Sequence, residues 1–308
     1  MRYVDVGGAR MSAIGLGTWQ FGSFEWGYGE GYASRIAATL VERALDLGIN
    51  LIDTAEIYGF GRSEKIVGQA VRDRRDEAFL ATKVFPVLPL GSVVQWRARA
   101  SARRLRTDRL DLYQLHWPSP HVPLASTMAG MRRLTERGLV SHVGVSNYTL
   151  ERWQAAEAAL GAPVLSNQVQ FSLVHRSPQF DLVPYAQRQG RVVIAYSPLA
   201  QGLFSGRYDR DHRPAGRVRR HSPMFAPESL ERGKRLAGEL EEVGRPQGAT
   251  PSQVALAWLI RKSNVIAIPG ASTVSQVEQN SAAADLELSD EDDERLEEAA
   301  DRFWAPRR

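Results

Sequence analysis

The chain carries at residues 50–59 the stretch Asn50-Leu51-Ile52-Asp53-Thr54-Ala55-Glu56-Ile57-Tyr58-Gly59. A short apolar run there ends at Asp53, and Tyr58 follows in a polar segment. Two later apolar runs also end in a functional side chain, at Lys83 and at His116. The spacing of roughly 30 residues is the length of one strand-helix-strand unit. Because the carboxyl ends of parallel strands gather at one face, this pattern predicts that the four side chains form one site.

Eight short apolar runs alternate with segments of helical periodicity along the chain. The first apolar residues of these runs are Ile14, Leu51, Phe79, Leu110, Val143, Val164, Val192 and Val265. Apolar strands that alternate with amphipathic helices are typical of an α/β protein with a parallel sheet, and eight such units favour a (β/α)8 TIM barrel over an open, doubly wound sheet. No internal segment has the composition of a linker, so we expect a single domain over residues 1–308.

Cap and turn residues predict where several elements begin and end. Gly7-Gly8 is expected to turn an N-terminal β-hairpin, and Ser63 is expected to cap a helix. Thr250, followed by Pro251 and Gln253, has the pattern of a capping box. Helices are predicted over residues 36–47, from 63 onward, 93–105, 123–137, 150–160, in a short segment ending at 189, 229–243, from 250 onward, 274–283 and, as an extra acidic C-terminal helix, from 289 onward.

The composition is that of a globular protein with a sizeable core. Of the 308 residues, 43% are hydrophobic and 24% are charged. The absence of cysteine excludes disulfide bonds and thiolate metal sites, and it suits a reducing compartment. No segment approaches the roughly 18 unbroken apolar residues of a membrane span, and the N-terminus lacks a signal-peptide core. We therefore expect a cytoplasmic protein that does not interact with a membrane.

The charge balance argues against nucleic acid as a partner. The net charge of +4 arises from 39 basic and 35 acidic residues, which is a small excess for a chain of this length. A small-molecule substrate is the expected partner, and both a monomer and a homo-oligomer remain open. One local basic segment predicts a long loop that either closes over a phosphate-bearing ligand or is solvated, and it contains Arg207, Arg210, Arg213, Arg217, Arg219 and Arg220.

The four side chains of the first pattern suit proton transfer to a carbonyl group. Tyr58 can donate a proton to a carbonyl oxygen when the carbon accepts hydride, although a free phenol has a pKa of about 10. Lys83 is expected to lower that pKa, Asp53 to pair with Lys83, and His116 to orient the carbonyl oxygen. Taken singly, each residue is also compatible with a purely structural role. These roles are Asp53 as a turn or capping residue, Tyr58 as a packing residue, Lys83 as a solvated charge and His116 as a core histidine.

Other chemistries find less support in the sequence. His116 and His121 have no carboxylate at a recognisable ligand spacing, so no metal site is expected. Gly59-Phe60-Gly61 precedes a helix but lacks the third glycine of the dinucleotide-binding G-x-G-x-x-G motif. The nucleophile motif G-x-S-x-G of α/β-hydrolases is absent.

Eight stretches, spread in order over nearly the whole chain, together resemble one enzyme family. They are Gly15-Leu16-Gly17-Thr18-Trp19, Asp53-Thr54-Ala55-Glu56-Ile57-Tyr58-Gly59, Thr82-Lys83, Leu112-Tyr113-Gln114-Leu115-His116-Trp117-Pro118, Gly144-Val145-Ser146-Asn147-Tyr148, Asn167-Gln168-Val169-Gln170-Phe171, Tyr196-Ser197-Pro198-Leu199 and Ile268-Pro269-Gly270-Ala271. The chain resembles the aldo-keto reductases. The resemblance implies a TIM barrel that binds NADP(H) without a Rossmann domain, and a catalytic tetrad of Asp53, Tyr58, Lys83 and His116 with Tyr58 as acid/base.

The resemblance also implies a cofactor site at the barrel mouth. Ser146, Asn147 and Gln168 would bind the nicotinamide carboxamide, and Tyr196 would stack on the ring. The full expected set is Gly17, Thr18, Trp19, Asp53, Ser146, Asn147, Gln168, Tyr196, Ser197, Leu199, Gly202, Gly270, Ser272, Thr273, Gln276, Gln279 and Asn280.

The cofactor preference depends on the adenosine end of that site. The family often has a basic residue near the positions of Gly270, Ser272 or Gln276, and none of these is basic here. NADP(H) is still expected over NAD(H), with the hydroxyls of Ser272 and Thr273, or an arginine of the basic segment, at the 2′-phosphate.

The expected function is the NAD(P)H-dependent reduction of an aldehyde or ketone to an alcohol. Candidates for the wall of the substrate pocket are Trp19, Trp26, Tyr28, Phe85, Trp117 and the loop at residues 203–225. Two alternatives remain. One is a cofactor-binding sensor or assembly subunit with little turnover, and the other is a barrel enzyme that uses the basic segment to bind a phosphorylated substrate.

Overall fold

The computed structural model describes residues 1–22, 32, 35–205, 208, 212, 214, 217–220 and 222–304. Several sequence predictions fall outside these residues. They include the glycine-rich loop with Trp26 and Tyr28, and Arg207, Arg210 and Arg213 of the basic segment.

An antiparallel hairpin opens the chain, as predicted. Strand β1 (Tyr3–Val6) pairs with β2 (Ala9–Ser12). The turn between them is formed by Gly7 and Gly8, whose φ angles of +56° and +80° are accessible to glycine at little cost. Val6, Ala9 and Met11 pack against apolar side chains from the barrel interior. The hairpin thereby contributes to the core at one end of the barrel.

Eight parallel strands form the barrel. They are β3 (Leu16–Gly17), β4 (Leu51–Asp53), β5 (Phe79–Val84), β6 (Leu110–Leu115), β7 (Val140–Ser146), β8 (Ser166–Gln170), β9 (Val192–Tyr196) and β10 (Val265–Ala267). Each strand pairs with its sequence neighbour. The first and last strands are joined by three backbone hydrogen bonds, from Gly15 N to Ala267 O at 2.8 Å, from Ala267 N to Ala13 O at 3.0 Å and from Gly17 N to Pro269 O at 3.1 Å. The predicted (β/α)8 barrel is confirmed.

Helices separate the strands and cover the outside of the barrel. The α-helices span Ala37–Asp46, Arg62–Ala70, Gly91–Leu105, Leu124–Glu136, Leu150–Leu160, Leu182–Gln189, Arg217–Arg220, Pro227–Gly244, Pro251–Ile260, Val274–Ala282 and Asp290–Trp304. Short 3₁₀ segments lie at Arg72–Glu77, Ser177–Gln179, Ala200–Ser205, Pro223–Phe225, Arg245–Gln247 and Ala283–Asp285. Among the described residues, no helix is long and apolar enough to span a membrane.

Most predicted ends lie within about three residues of the observed ends. Thr250 and Gln253 form the predicted capping box. Ser63 is not a cap, because the helix already begins at Arg62 after Gly61, and Ser63 Oγ instead bonds buried hydroxyls. The strand expected from residue 164 begins two residues later, at Ser166. The basic segment, expected to have no periodic structure, contains a one-turn helix over Arg217–Arg220.

Candidate active site

A cleft of about 630 Å³ opens at the carboxyl ends of the barrel strands. Its lining includes three of the four predicted catalytic residues, Asp53, Tyr58 and His116. It also includes nearly all of the predicted cofactor residues: Gly17, Thr18, Trp19, Asp53, Ser146, Asn147, Gln168, Tyr196, Ser197, Leu199, Gly202, Gly270, Ser272, Gln276, Gln279 and Asn280. Residues from most of the chain, between Gly17 and Asn280, thus lie together at this cleft.

Lys83 lies directly beneath the cleft and is paired with Asp53. Strand register aligns Asp53 with Ala81, which leaves the Lys83 side chain two residues further along β5. Lys83 Nζ donates to Asp53 Oδ1 at 2.6 Å and to Thr54 O at 2.8 Å, and the lysine side chain is fully buried. This lysine is therefore not the solvated surface charge that the sequence left open.

Burial shifts the pKa values of both Asp53 and Lys83. It raises the pKa of the Asp53 carboxyl and lowers the pKa of the Lys83 ammonium, while their mutual attraction and hydrogen bonding oppose both shifts. The Asp53 carboxylate also accepts a bond of 2.7 Å from Gln168 Nε2. These contacts fix the position of the lysine head.

Tyr58 reaches the same point from the loop after β4. Its hydroxyl lies 3.4 Å from Lys83 Nζ, and the Trp19 ring stacks beside its ring with centroids 6.2 Å apart. The expected lowering of its pKa is wrong for this structure. Burial, followed by the nearby Asp53 charge, raises the pKa of Tyr58 well above its usual value of 10. The expectation failed because Asp53 pairs closely with Lys83 and because the extent of burial is not readable from sequence.

His116 faces Tyr58 from the end of the fourth barrel strand. The two ring centroids are 5.8 Å apart and nearly perpendicular. Burial and the Lys83 charge lower the pKa of His116 to about 3, so the imidazole is neutral near physiological pH. Its Nδ1 atom is buried without a hydrogen-bond partner among the described residues. The ring is thus a neutral hydrogen-bonding group beside the Tyr58 hydroxyl.

A chain of side-chain amides and hydroxyls connects His116 with Tyr196. Asn147 Nδ2 donates to His116 O at 3.1 Å and to Ser146 Oγ at 3.0 Å. Asn147 Oδ1 accepts from Tyr196 OH at 2.9 Å, and Ser146 Oγ donates to Gln168 O at 2.8 Å. Because the hydroxyl of Tyr196 is anchored, its ring is held in place at the wall of the cleft.

At the far end of the cleft, the predicted adenosine residues lie at the start of the helix Val274–Ala282. Ser272 N and Oγ both donate to Gln276 Oε1, at 2.7 and 3.0 Å. Thr273, which belongs to the same predicted set, is absent from the cleft lining, and its hydroxyl caps the helix by accepting from Gln276 N. A threonine in this position satisfies an otherwise unpaired backbone N–H.

The cleft lining also contains polar residues that were not predicted from the sequence. Gln20, Gln201 and Ser252 contribute polar side chains to the cleft. Gln20 follows directly after the first strand motif, and its position there was a usable signal. Gln201 lies between two predicted residues, whereas Ser252 lies within the capping-box stretch opened by Thr250 and was not predicted to face the cleft. The part of loop 203–225 that the structure describes reaches the cleft through Ser205, Tyr208 and Arg219.

The proposed pocket wall is described in part. Trp19 and Trp117 line the cleft. Phe85 is not in the lining but packs its edge against His116, with centroids 6.1 Å apart. Behind Phe85, Glu56 accepts from its backbone N at 2.6 Å and pairs with Arg97. Trp26 and Tyr28 lie outside the described residues.

A second buried carboxylate lies close to Lys83. The Glu64 side chain is fully buried, accepts from Thr82 Oγ1 at 2.7 Å and pairs with Arg104 Nε at 2.5 Å. Its negative charge favours the protonated form of Lys83 and thereby raises the pKa of the lysine against the stronger effect of burial. Nothing in the local sequence pattern distinguishes this glutamate from a surface residue of an exposed helix.

Comparison with known proteins identifies the family. The model of the aldo/keto reductase family matches residues 13–301. The chain belongs to the aldo/keto reductase family, which consists of oxidoreductases that act on small-molecule carbonyl compounds. The sequence-based resemblance is therefore confirmed.

Individual relatives cover almost the whole chain. An uncharacterized oxidoreductase of Mycobacterium tuberculosis is 54% identical over 304 residues, which are 98% of this chain and 94% of the relative. The methylglyoxal reductase of Escherichia coli is 35% identical over 287 residues, 92% of this chain and 89% of the relative. An aldo/keto reductase from Klebsiella pneumoniae, crystallised with NADP and acetate, superposes with a TM-score of 0.78 at 33% identity, covering 99% of this chain and 96% of that chain.

Proposed function

We propose that this protein reduces an aldehyde or ketone to an alcohol with NADPH, and that Tyr58 is the general acid. The observation that carries the proposal is the position of the Tyr58 hydroxyl, 3.4 Å from a fully buried Lys83 and beside the His116 ring at the wall of the cleft. A proton donor, a buried cation and a neutral imidazole converge on one point that a carbonyl oxygen can occupy.

The residues at the cleft suit an extended dinucleotide. The lining reaches from Tyr58 and His116 to Gln279 and Asn280, and its volume of about 630 Å³ lies within the usual range for ligand pockets. Gln201 Oε1 is a buried acceptor without a partner among the described residues, so this wall has an unused polar atom. Gln168 Nε2 donates a hydrogen bond to Asp53. The side-chain oxygen of Gln168 is therefore left to accept a hydrogen bond from a donor such as a carboxamide N–H.

In this proposal NADPH, when bound, supplies the hydride that adds to the carbonyl carbon. Tyr58 transfers its phenolic proton to the carbonyl oxygen and afterwards regains a proton from solvent. The raised pKa of Tyr58 keeps the phenol protonated at neutral pH, and an alkoxide is a stronger base than a phenolate. Transfer of the proton to the developing alkoxide is therefore downhill. His116 orients the oxygen, and Asp53 holds Lys83 in place.

The activity is tested by following nicotinamide absorbance with NADPH and a panel of aldehydes and ketones. Tyr58→Phe should lower kcat by roughly 10²-fold or more, because a positioned general acid contributes about that much. Tyr3→Phe is the matched control, since its hydroxyl donates to Gly48 O near the hairpin and away from the cleft. Tight NADPH binding with no turnover of any carbonyl would favour the cofactor sensor instead.

The same proposal includes a preference for NADP(H) over NAD(H), supported by the Klebsiella pneumoniae neighbour with NADP and by Arg219. Arg219 is the only Lys or Arg among the described residues of the cleft lining. We expect Arg219→Ala to weaken NADPH binding by about tenfold or more, the usual value of a hydrogen bond to a charged group. Arg220→Ala, at an exposed neighbour, should leave the Kd unchanged in the same fluorescence titration. An unchanged Kd in Arg219→Ala would exclude this arginine from phosphate binding.

A further inference from the structure

We propose that Glu56 and Arg97 are positioning residues for carbonyl reduction, although neither side chain is in the cleft lining. Their ion pair, here called the Glu56–Arg97 clamp, holds the loop that carries Tyr58 against the segment that supports His116. This inference rests on the proposed function, because it explains how the groups of the same site are kept in place.

Glu56 joins the loop after β4 to the end of β5 through both its backbone and its side chain. Glu56 N donates to Lys83 O at 3.3 Å, and Glu56 Oε1 accepts from Phe85 N at 2.6 Å. Tyr58 follows two residues later, in a turn closed by a bond of 3.1 Å from Tyr58 N to Ala55 O. A shift of Glu56 would therefore move the tyrosine relative to the lysine.

Arg97 completes the clamp from the helix Gly91–Leu105. Its guanidinium contacts Glu56 Oε1 at 2.6 Å and Oε2 at 3.0 Å. It also donates to Phe85 O at 2.8 Å and to Val87 O at 3.1 Å. A planar guanidinium can make these contacts together, whereas the ammonium of a lysine has neither the fork geometry nor enough donors. The clamp thereby holds the segment 85–87 at Phe85 N, Phe85 O and Val87 O.

Phe85 connects the held segment with His116. The rings of the two residues are perpendicular, with centroids 6.1 Å apart, and the Tyr58 ring lies 5.8 Å from the imidazole. His116 N also donates to Val84 O at 3.0 Å. Both the ring and the backbone of the histidine thus depend on the position of this segment. The clamp reaches Tyr58 along the chain and His116 through Phe85.

The clamp is sufficiently buried to keep one geometry. The side chains of Glu56 and Arg97 are 10% and 17% exposed. Burial raises the pKa of the Glu56 carboxyl, while the bond from Phe85 N and the Arg97 charge oppose this shift. Fully exposed ion pairs contribute little, but a bidentate pair that also bonds the backbone restricts both partners. The contacts are therefore suited to fixing two loops.

A matched ion pair lies at the opposite end of β5. Asp111 Oδ2 accepts from Leu80 N at 2.8 Å and from Arg75 Nη2 at 2.7 Å. Arg75 also donates to Ala78 O at 2.7 Å, and the Asp111 and Arg75 side chains are 10% and 21% exposed. Leu80 and Asp111 lie near the amino ends of β5 and β6, away from the cleft. This pair has the chemistry of the clamp without its link to the site.

The first test compares Glu56→Gln with Asp111→Asn, which each remove one charge with little change in shape. Single-turnover reduction of excess aldehyde by the NADPH-saturated protein measures hydride transfer, and urea denaturation shows that each variant is folded. We expect Glu56→Gln to lower the rate by roughly tenfold or more with an unchanged Kd for NADPH, because small displacements of reacting groups affect the rate more than binding. Asp111→Asn should react like the wild type.

The same rate in the two variants, whether normal or lowered, would overturn the inference, since the clamp would then have no role beyond that of any buried ion pair. Absence of carbonyl reduction by the wild type would overturn the proposed function, and the inference with it.

A second comparison tests the route through Phe85. Arg97→Lys keeps the charge but lacks the fork, and it is measured in the wild type and in Phe85→Leu. If the clamp acts through the Phe85 ring, Arg97→Lys should lower the rate by a smaller factor in the Phe85→Leu background, because effects along one route are not additive. Equal factors in the two backgrounds would exclude this route.

Discussion

At the residue scale, the contact between Lys83 and Asp53 combines a structural role with the proposed chemical one. Both side chains are almost completely removed from water, and each is the main partner of the other. Breaking such a pair leaves a buried charge without compensation, whereas removing both charges together avoids that cost. Stability and activity should therefore respond differently to single and double substitutions here.

Lys83→Met should destabilise the protein by about 3–5 kcal/mol, because Asp53 is left buried without its cation. The double variant Lys83→Met with Asp53→Asn should regain much of that free energy of unfolding but none of the lost activity. Urea denaturation and carbonyl reduction by the same samples check both points. Equal stability of the single and double variants would contradict the pairing described here.

The pKa shifts of Tyr58 and His116 predict how activity depends on pH. Reduction needs protonated Tyr58, whose pKa is raised well above 10, and His116 is neutral above a pKa of about 3. The kcat/KM for reduction should thus be flat through the neutral range and fall only as pH rises through the high pKa of Tyr58. Alcohol oxidation needs the phenolate, so its rate should rise by about tenfold per pH unit below that pKa. Steady-state profiles in both directions test this, and an inflection near pH 6.5 in reduction would show that His116 titrates.

At the element scale, buried polar contacts hold the helix Arg62–Ala70 against the barrel, in addition to the packing of its short apolar face. Ser63 Oγ contacts the hydroxyls of Thr18 and Thr54 at 2.7 and 2.8 Å, and all three side chains are buried. The next residue, Glu64, joins the helix to β5 through Thr82. These contacts fix the helix against the two strands that carry Asp53 and Lys83.

The Glu64–Arg104 pair should contribute strongly to stability. Arg104→Ala leaves the fully buried Glu64 carboxylate without its cation, and we expect a loss of about 3–5 kcal/mol. Arg103→Ala, at the exposed neighbour, should change stability by no more than about 0.5 kcal/mol. Denaturation midpoints of the two variants measure the contrast. Similar midpoints would mean that the buried pair has no special role.

The same helix shows what sequence can and cannot predict at this scale. Apolar periodicity located every barrel strand to within about three residues, because strand burial follows directly from local composition. The start of the helix was placed one residue late and its cap was wrong, since Gly61 with a φ of +83° precedes the helix and Ser63 is bonded to Thr18 and Thr54, which follow two different strands. Those partners are apparent only once the chain is folded.

At the scale of the whole molecule, the site is assembled by barrel closure. The bond from Gln168 to Asp53 joins residues 115 positions apart, and the contact from Gly17 N to Pro269 O joins the first and last strands. Sequence motifs identified which residues face the mouth, because each follows a strand. They did not predict the raised pKa of Tyr58 or the helix-capping role of Thr273, since both depend on burial and geometry set by distant segments.

The central claim is that Tyr58 donates the proton during carbonyl reduction, and a single-turnover experiment tests it most directly. The protein saturated with NADPH is mixed with excess aldehyde, and the loss of nicotinamide absorbance is followed for the wild type and for Tyr58→Phe. The account predicts an unchanged Kd for NADPH and a rate of hydride transfer that is lower by roughly 10²-fold or more in the variant. An undiminished rate in Tyr58→Phe would contradict it.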